Sequence, residues 1–388
     1  MERLAYVEPV VGLNVYGREL LPHLACYYEV EVVTDTQREA LVPEIADAFP
    51  IREYDDLPAQ RHRYSHLVFH LRNNFHHAPV YDLLMRLGGV AVMHEITLVG
   101  IIGSQTLAQG QRLDFLRHVW LNEGPGTALR VGMDIFVLRR GVKRWTRLPM
   151  NRRAIRRSRG VIVHNRDAAR QLRACYPHLP VQTVRRGVPP PRPFDQEALR
   201  QALGLADRWP VIASFGVVAA RKRIPQVLQA LPAVVQAFPQ AVYLLVGRVF
   251  DLDVQGMAER LGVADHVVTT GQVDDETFHR YLAVTDIGVN LRYPSEGETS
   301  STALRLLGYG KPILVTDAGS LAELPDSCAL KVSPGPQEVA QIREGLLRLA
   351  RDDALRRRMG EAARRYIARF HTWEQAAQSY RDFLEGLA

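Results

Sequence analysis

Apolar residues in this chain fall into short, dense runs separated by longer amphipathic stretches. The runs at 4–7, 30–34, 66–71, 89–93, 160–164 and 181–184 read as strands, several of them apolar on both faces. Runs at 211–215, 241–246, 267–269, 286–291 and 313–315 repeat the pattern in the second half. Helical spacing of apolar residues predicts helices ending near Leu24, over 81–87, 166–175 (capped by Asn165) and 224–238, then from Asp253 to Leu261, and over 337–350 and 353–370. A last helix opens after His371. Strands alternating with helices predict parallel, doubly wound sheets. The run Pro189-Pro-Pro-Arg-Pro193 is a stiff linker that divides the chain in two. The expected fold class is α/β, with one Rossmann-like domain over 1–187 and a second over 188–370.

A length of 388 residues suits two domains of ordinary size, and 47% apolar with 23% charged residues describes a globular chain. The net charge of +7 favours an anionic partner. Cys26, Cys175 and Cys328 stand far apart, with neither metal spacing nor a disulfide framework, which fits a reducing compartment. The first strand starts almost at once and no apolar run approaches a membrane span, so no signal peptide is expected. The expectation is a cytoplasmic protein, soluble or peripheral at the inner face of the membrane. Ten cations between Arg139 and Arg159 are interleaved with Trp145, Leu148, Met150 and Ile155. Such a stretch fits either an acidic membrane surface or a solvated face, and no binding motif supports nucleic acid.

Three places carry chemistry. In the first, the strand at 286–291 leads through a loop holding Pro294 and Gly297 to Thr299, Ser300 and Ser301, which open a helix that ends by Gly308 and Gly310. Hydroxyls, free amides and a helix dipole together make an anion site, and a diphosphate is the anion that suits it. In the second, Gly216 is followed by Arg221, Lys222 and Arg223 at a helix start, where a bound anion would relieve the conflict between cations and dipole. In the third, His94-Glu95 ends the strand at 89–93, at the edge of a parallel sheet where ligands bind. After the first strand, 12–17 reads as a glycine-bearing turn that lacks the three-glycine dinucleotide fingerprint, so no nicotinamide cofactor is expected. The Asp251-Leu-Asp253 triplet reads as a helix start, and the adjacent His76-His77 lacks a carboxylate at ligand spacing, so no metal is expected.

The ordered residues Pro294, Ser295, Glu296, Gly297, Glu298, Gly310, Lys311 and Pro312, with the Asp317–Glu323 tract, resemble the donor signature of the retaining glycosyltransferases of family 4. That resemblance implies a GT-B fold, two Rossmann-like domains facing across a cleft, with residues 371–388 packing back on the first. It implies a retaining hexosyltransferase that is metal-independent, needs no cofactor beyond its nucleotide-diphosphate sugar, and acts on a glycan, lipid-linked or small-molecule acceptor. Carried over residue by residue, the catalytic candidates are His94, Lys222 and Glu298. The donor-binding ones are Gly216, Arg221, Lys222, Arg223, Arg248, Glu298, Thr299, Ser300 and Ser301. On the acceptor side stand Gly12, Asn14, Tyr16, Asn73, Asn74 and His76. Two departures stand out. The family's paired glutamates fall on Gly297, flanked by Glu296 and Glu298, and on Arg305, while Val217 replaces an Arg after Gly216. A catalytically silent binding subunit, and an epimerase or phosphorylase on the same fold, are the alternatives.

Overall fold

The computed structural model describes residues 1–35, 40–138, 145 and 147–387. Contact clustering gives two compact units: Met1–Gly187 with Glu296–Thr299 and Trp373–Ala388, and Val188–Ser295 with Ser300–Thr372.

The first unit holds strands β1 (Arg3–Val7), β2 (Glu29–Thr34), β3 (Ile51–Glu53), β4 (His66–Leu71), β5 (Gly89–Met93), β6 (Ser158–Val163) and β7 (Val181–Thr183). They form one parallel sheet in the order β3-β2-β1-β4-β5-β6-β7. Side chains alternate across it as the pleat requires: Ala5 and Val7 enter one core, Leu4 and Tyr6 the other. The second core is completed by Trp373, Tyr380 and Leu384 of the helix Trp373–Glu385, so the end of the chain packs on its first strand's sheet.

The second unit holds β8 (Val211–Phe215), β9 (Val242–Val246), β10 (Val267–Gly271), β11 (Ile287–Asn290), β12 (Ile313–Thr316) and β13 (Ala329–Val332), in the parallel order β10-β9-β8-β11-β12-β13. Both sheets reverse direction of winding beside their first strand. In such sheets ligands bind in the crevice outside the carboxyl ends of the strands at this point.

Three expectations change. The glycine turn expected at 12–17 is helical, over Val10–Gly12 and Leu13–Gly17, because Leu13, Tyr16, Leu20, Leu21 and Leu24 form one buried helical stripe. The short edge strands β3 and β13 went unread, being three and four residues long with polar residues inside them. The basic stretch is not one amphipathic face. Arg139, Arg140, Lys143 and Arg144 lie outside the described residues, and Trp145 and Met150 are buried in a small core of their own. Arg157 donates to the carbonyls of Met85 and Arg86, and Arg159 to that of Leu387.

Candidate functional site

In the second unit the chain leaves β8 at Phe215 and turns at Gly216, whose φ is +80°. It then passes through a helical turn at Ala220–Lys222 into the helix Ile224–Ala237. The turn brings Lys222 back, so that Nζ donates to the Phe215 carbonyl at 2.6 Å. A Cβ at position 216 would lie 2.8 Å from that ammonium, so glycine serves both the backbone and the cation. Burial pushes the Lys222 ammonium down to about 7, with Arg292 and then Arg221 adding repulsion. None of these causes is a carboxylate, and a mostly buried ammonium beside two guanidiniums is a group that an anion would stabilise.

Arg292 follows β11, its backbone N–H donating to Thr316 Oγ1, and the next residue, Tyr293, donates to the Arg221 carbonyl at 3.0 Å. Sequence reasoning missed Arg292, whose signal was its place just past a strand end. Arg248 is exposed after β9, and its carbonyl accepts from Val218. Arg223 does not join the group. Its guanidinium grips both carboxylate oxygens of Glu338, which is 1% exposed. That pair, not a bound anion, resolves the conflict of this cation with the helix start. Arg223→Ala leaves Glu338 buried without its partner, and a loss of about 2 kcal/mol is expected after discounting for the partly exposed guanidinium, measurable by denaturant unfolding.

Ser300 caps the helix Ser301–Gly308, its Oγ accepting from Ala303 N–H, with Ser301 in the first turn. Arg305, one turn further, faces His279 at 3.4 Å and Asp275 at 3.7 Å. The carboxylate that the family pattern places here is therefore replaced by a cation already engaged with an acidic cluster.

In the first unit, polar residues end four adjacent strands. Glu8 follows β1, His70 lies near the end of β4, His94 follows β5 and His164 follows β6. Glu8 accepts from Tyr6 Oη at 3.0 Å and faces Arg72 at 3.6 Å. Burial raises it to about 7 in spite of Arg72, Tyr6 and Arg186. His70 Nδ1 and His94 Nε2 lie 3.2 Å apart, and burial holds both imidazoles neutral. The His164 imidazole is pushed down to about 3 by the same cause, with Nδ1 on the Val184 carbonyl. Glu8 Oε1, His70 Nε2 and His164 Nε2 are buried without a hydrogen-bond partner among the described residues. Glu8, His70 and His94 offer atoms within 4.8 Å of one another, spacing at which a divalent ion fits, although Arg72 and Arg186 oppose it. Of this cluster the sequence reading named only His94.

Tyr16 lies among these groups, fully buried, edge-on to His94 at 4.8 Å between centroids and bonded to the Tyr380 hydroxyl. Gly12 gives space rather than a turn, since a Cβ there would sit 2.1 Å from Glu8 Oε1. The other acceptor-side candidates hold backbone. Asn14 bonds Ala40 and Val42, Asn73 bonds Gly100 N–H and Thr97, and Asn74 caps the short turn in which His76 stands exposed. Glu296–Thr299 belongs to this unit: Ile96 N–H donates to the Glu296 carbonyl, and Asn165 Nδ2 donates to the Gly297 carbonyl and Thr299 Oγ1. Gly297 has φ +81°, and a Cβ would meet Ile96 at 2.6 Å. Glu298 is buried and accepts from Glu296 N–H, while Glu95 is raised by burial first, with Glu298 and Glu296 adding to it.

The model of the family described as glycosyl transferases group 1 matches residues 195–366, the span that carries Gly216, Lys222, Arg292 and the Ser300 cap. That span is similar to the group 1 glycosyl transferases. The chain is 25% identical over 219 residues to a GDP-mannose-dependent monoacylated alpha-(1-6)-phosphatidylinositol monomannoside mannosyltransferase of Corynebacterium glutamicum, covering 54% of this chain and 56% of that protein. It is 29% identical over 153 residues to a GDP-mannose-dependent alpha-(1-6)-phosphatidylinositol monomannoside mannosyltransferase of Mycolicibacterium smegmatis, covering 37% and 40%. The chain thus spans about half the length of the curated relatives it matches. Among solved structures, Anabaena HepE in complex with UDP and glucose aligns over 100% of both chains, with TM-score 0.69 and 16% identity. That likeness shows the fold, GT-B, and the family match falls on the second unit's sheet and helices.

Proposed function

We propose that this chain is a retaining glycosyltransferase that moves mannose from GDP-mannose to a lipid-linked acceptor of the phosphatidylinositol glycolipid class. The observation that carries the reading is the group of Lys222, Arg221 and Arg292 beside Gly216, in which two guanidiniums repel a largely desolvated ammonium. A nucleoside diphosphate is the leaving group of sugar transfer, and cations placed where its charge develops stabilise the transition state. The same cations take the electrostatic role that a divalent ion plays at other sites. The relatives' use of GDP-mannose and of a phosphatidylinositol mannoside supports the choice of donor and acceptor. His94, neutral, and Glu298 are assigned to sugar hydroxyls. The polar strand ends around Glu8 and Arg72 are assigned to the acceptor's head group. With no protein nucleophile assigned, the acceptor hydroxyl attacks the face that the diphosphate leaves and gives it its proton.

A thermal-shift series with GDP, UDP, ADP, CMP and dTDP tests the reading. A ligand at 100 times its Kd stabilises the native state by about 2.7 kcal/mol. GDP is expected to raise Tm by several degrees and the others by less. Equal, negligible shifts with all five would remove the donor assignment.

A further inference from the structure

A helical hairpin follows β5 in the first unit, Arg112–Glu123 and Pro125–Gly132 continuing to Met133–Val137. Its inner side is a satellite core of Phe115, Val119, Ala128, Val131 and Ile135. Its outer side is also apolar. Leu113 is 74% exposed, Trp120 59%, Leu129 68% and Val137 70%, with Leu121, Met133, Phe136 and Leu138 beside them. Singly exposed apolar residues are ordinary, but a contiguous set marks a partner. Between the two helices lies an open cavity of about 600 Å³, lined by Leu116, Trp120, Pro125, Leu129 and Met133, with Arg117 at its polar margin. Apolar cavities of this size hold drug-sized ligands, and so have room for part of an acyl chain.

Charge identifies the partner. Arg112, Arg117 and Arg130 are exposed on the same helices. On the hairpin itself Asp114, Glu123 and Asp134 offset these three, and the excess lies in the adjoining stretch 139–159, which carries ten Lys and Arg and no acid. Exposed apolar side chains on a segment that runs into a cationic stretch suit an interface whose outer layer is anionic and whose interior is hydrocarbon. Among the described residues no helix is long and apolar enough to cross a membrane, so the contact is one of lying on the surface.

We infer that the 112–138 hairpin docks this protein on an anionic lipid bilayer, sinking Trp120, Leu129 and Val137 among the acyl chains and seating one chain in the cavity between its helices. The inference deepens the lipid-acceptor reading above, but its test needs neither donor nor acceptor. The full-length protein is mixed with vesicles of phosphatidylcholine alone or with 30% phosphatidylglycerol, and binding is read by co-sedimentation. Expected is binding at least tenfold tighter to the anionic vesicles. Brominated acyl chains are expected to quench a fluorescence component that Trp120→Phe removes. Leu129→Asp with Val137→Asp, both at exposed positions, is expected to weaken vesicle binding at least tenfold with Tm and the GDP-induced shift unchanged. Wild-type binding by the double variant, quenching that survives Trp120→Phe, or a dimer in solution that ignores vesicles would each overturn the inference. Failure of the GDP shift alone would remove the donor reading and leave this one standing.

Discussion

Lys222→Met is expected to weaken binding of a nucleoside diphosphate by about 100-fold, on the order of 3 kcal/mol, while making the ligand-free protein more stable. Both effects come from one ammonium held in a mostly buried place beside Arg292 and Arg221. Without an anion, charging it there is unfavourable, and its folded pKa of about 7 lies below the ordinary lysine value of 10.5. Between those values the unfolded chain binds more protons than the folded one, so wild-type stability rises with pH from about 7 towards 10.5. Below pH 7 both states are protonated and the cost of the buried charge is complete. Lys222→Met removes it, giving a gain of about 2 kcal/mol after discount for partial exposure, and flattens the pH dependence. A bound diphosphate raises the same pKa, so binding at pH 8 takes up close to one proton. Titration calorimetry in buffers of different ionisation heat measures that uptake. Absence of uptake in the wild type, or undiminished affinity in Lys222→Met, would separate this lysine from the anion.

Gly12→Ala is expected to cost about 3 kcal/mol, because the new methyl group meets a side chain with nowhere to go. Its Cβ would lie within 3 Å of three Glu8 side-chain atoms, and Glu8 is fully buried between Tyr6 and Arg72. Moving the carboxylate also breaks its hydrogen bond to Tyr6. The strain is specific to that pair, so Gly12→Ala in a Glu8→Ala background should cost less than 1 kcal/mol, a coupling that a double-mutant cycle in urea reads directly. Additive losses would show that the helix, not the carboxylate, requires glycine. Glu8 itself carries a pH signature of opposite sign to that of Lys222. Its folded value of about 7 exceeds the ordinary 4.5, so its contribution is fully present below 4.5 and is lost as pH rises through 7.

The sequence was legible where one signal dominated. Runs such as 241–246 are apolar at every position and read as buried strands, and β9 occupies all but the first residue of that span. Lys222 stood out because cations at a helix start demand a reason. The hairpin was not legible: Leu113, Trp120 and Leu121 point outward while Phe115 and Val119 point inward, so the helix has no single apolar stripe to find. Glu8 and Arg292 were missed for another reason. Each is one polar residue just after a strand, indistinguishable in one dimension from the start of a loop. Only the parallel register, which aligns Glu8, His70, His94 and His164 along one sheet edge, makes them a group. Asn14, Asn73 and Asn74, read as acceptor-side residues, also satisfy nearby backbone, a role that one dimension does not reveal.

The helix Trp373–Glu385 has a consequence for how the chain is made. Tyr380 meets Tyr16 across 364 positions of sequence, and Trp373 packs on Gly187 so closely that a Cβ there would lie 2.3 Å from the indole. On the ribosome, the first half therefore emerges with part of one face of its sheet uncovered and stays so until the rest has been translated. Residues 188–372, continuous in sequence apart from the loop 296–299, can complete their core while that face waits. The half synthesised first is the half finished last, and its open apolar face is where a nascent-chain chaperone would be needed.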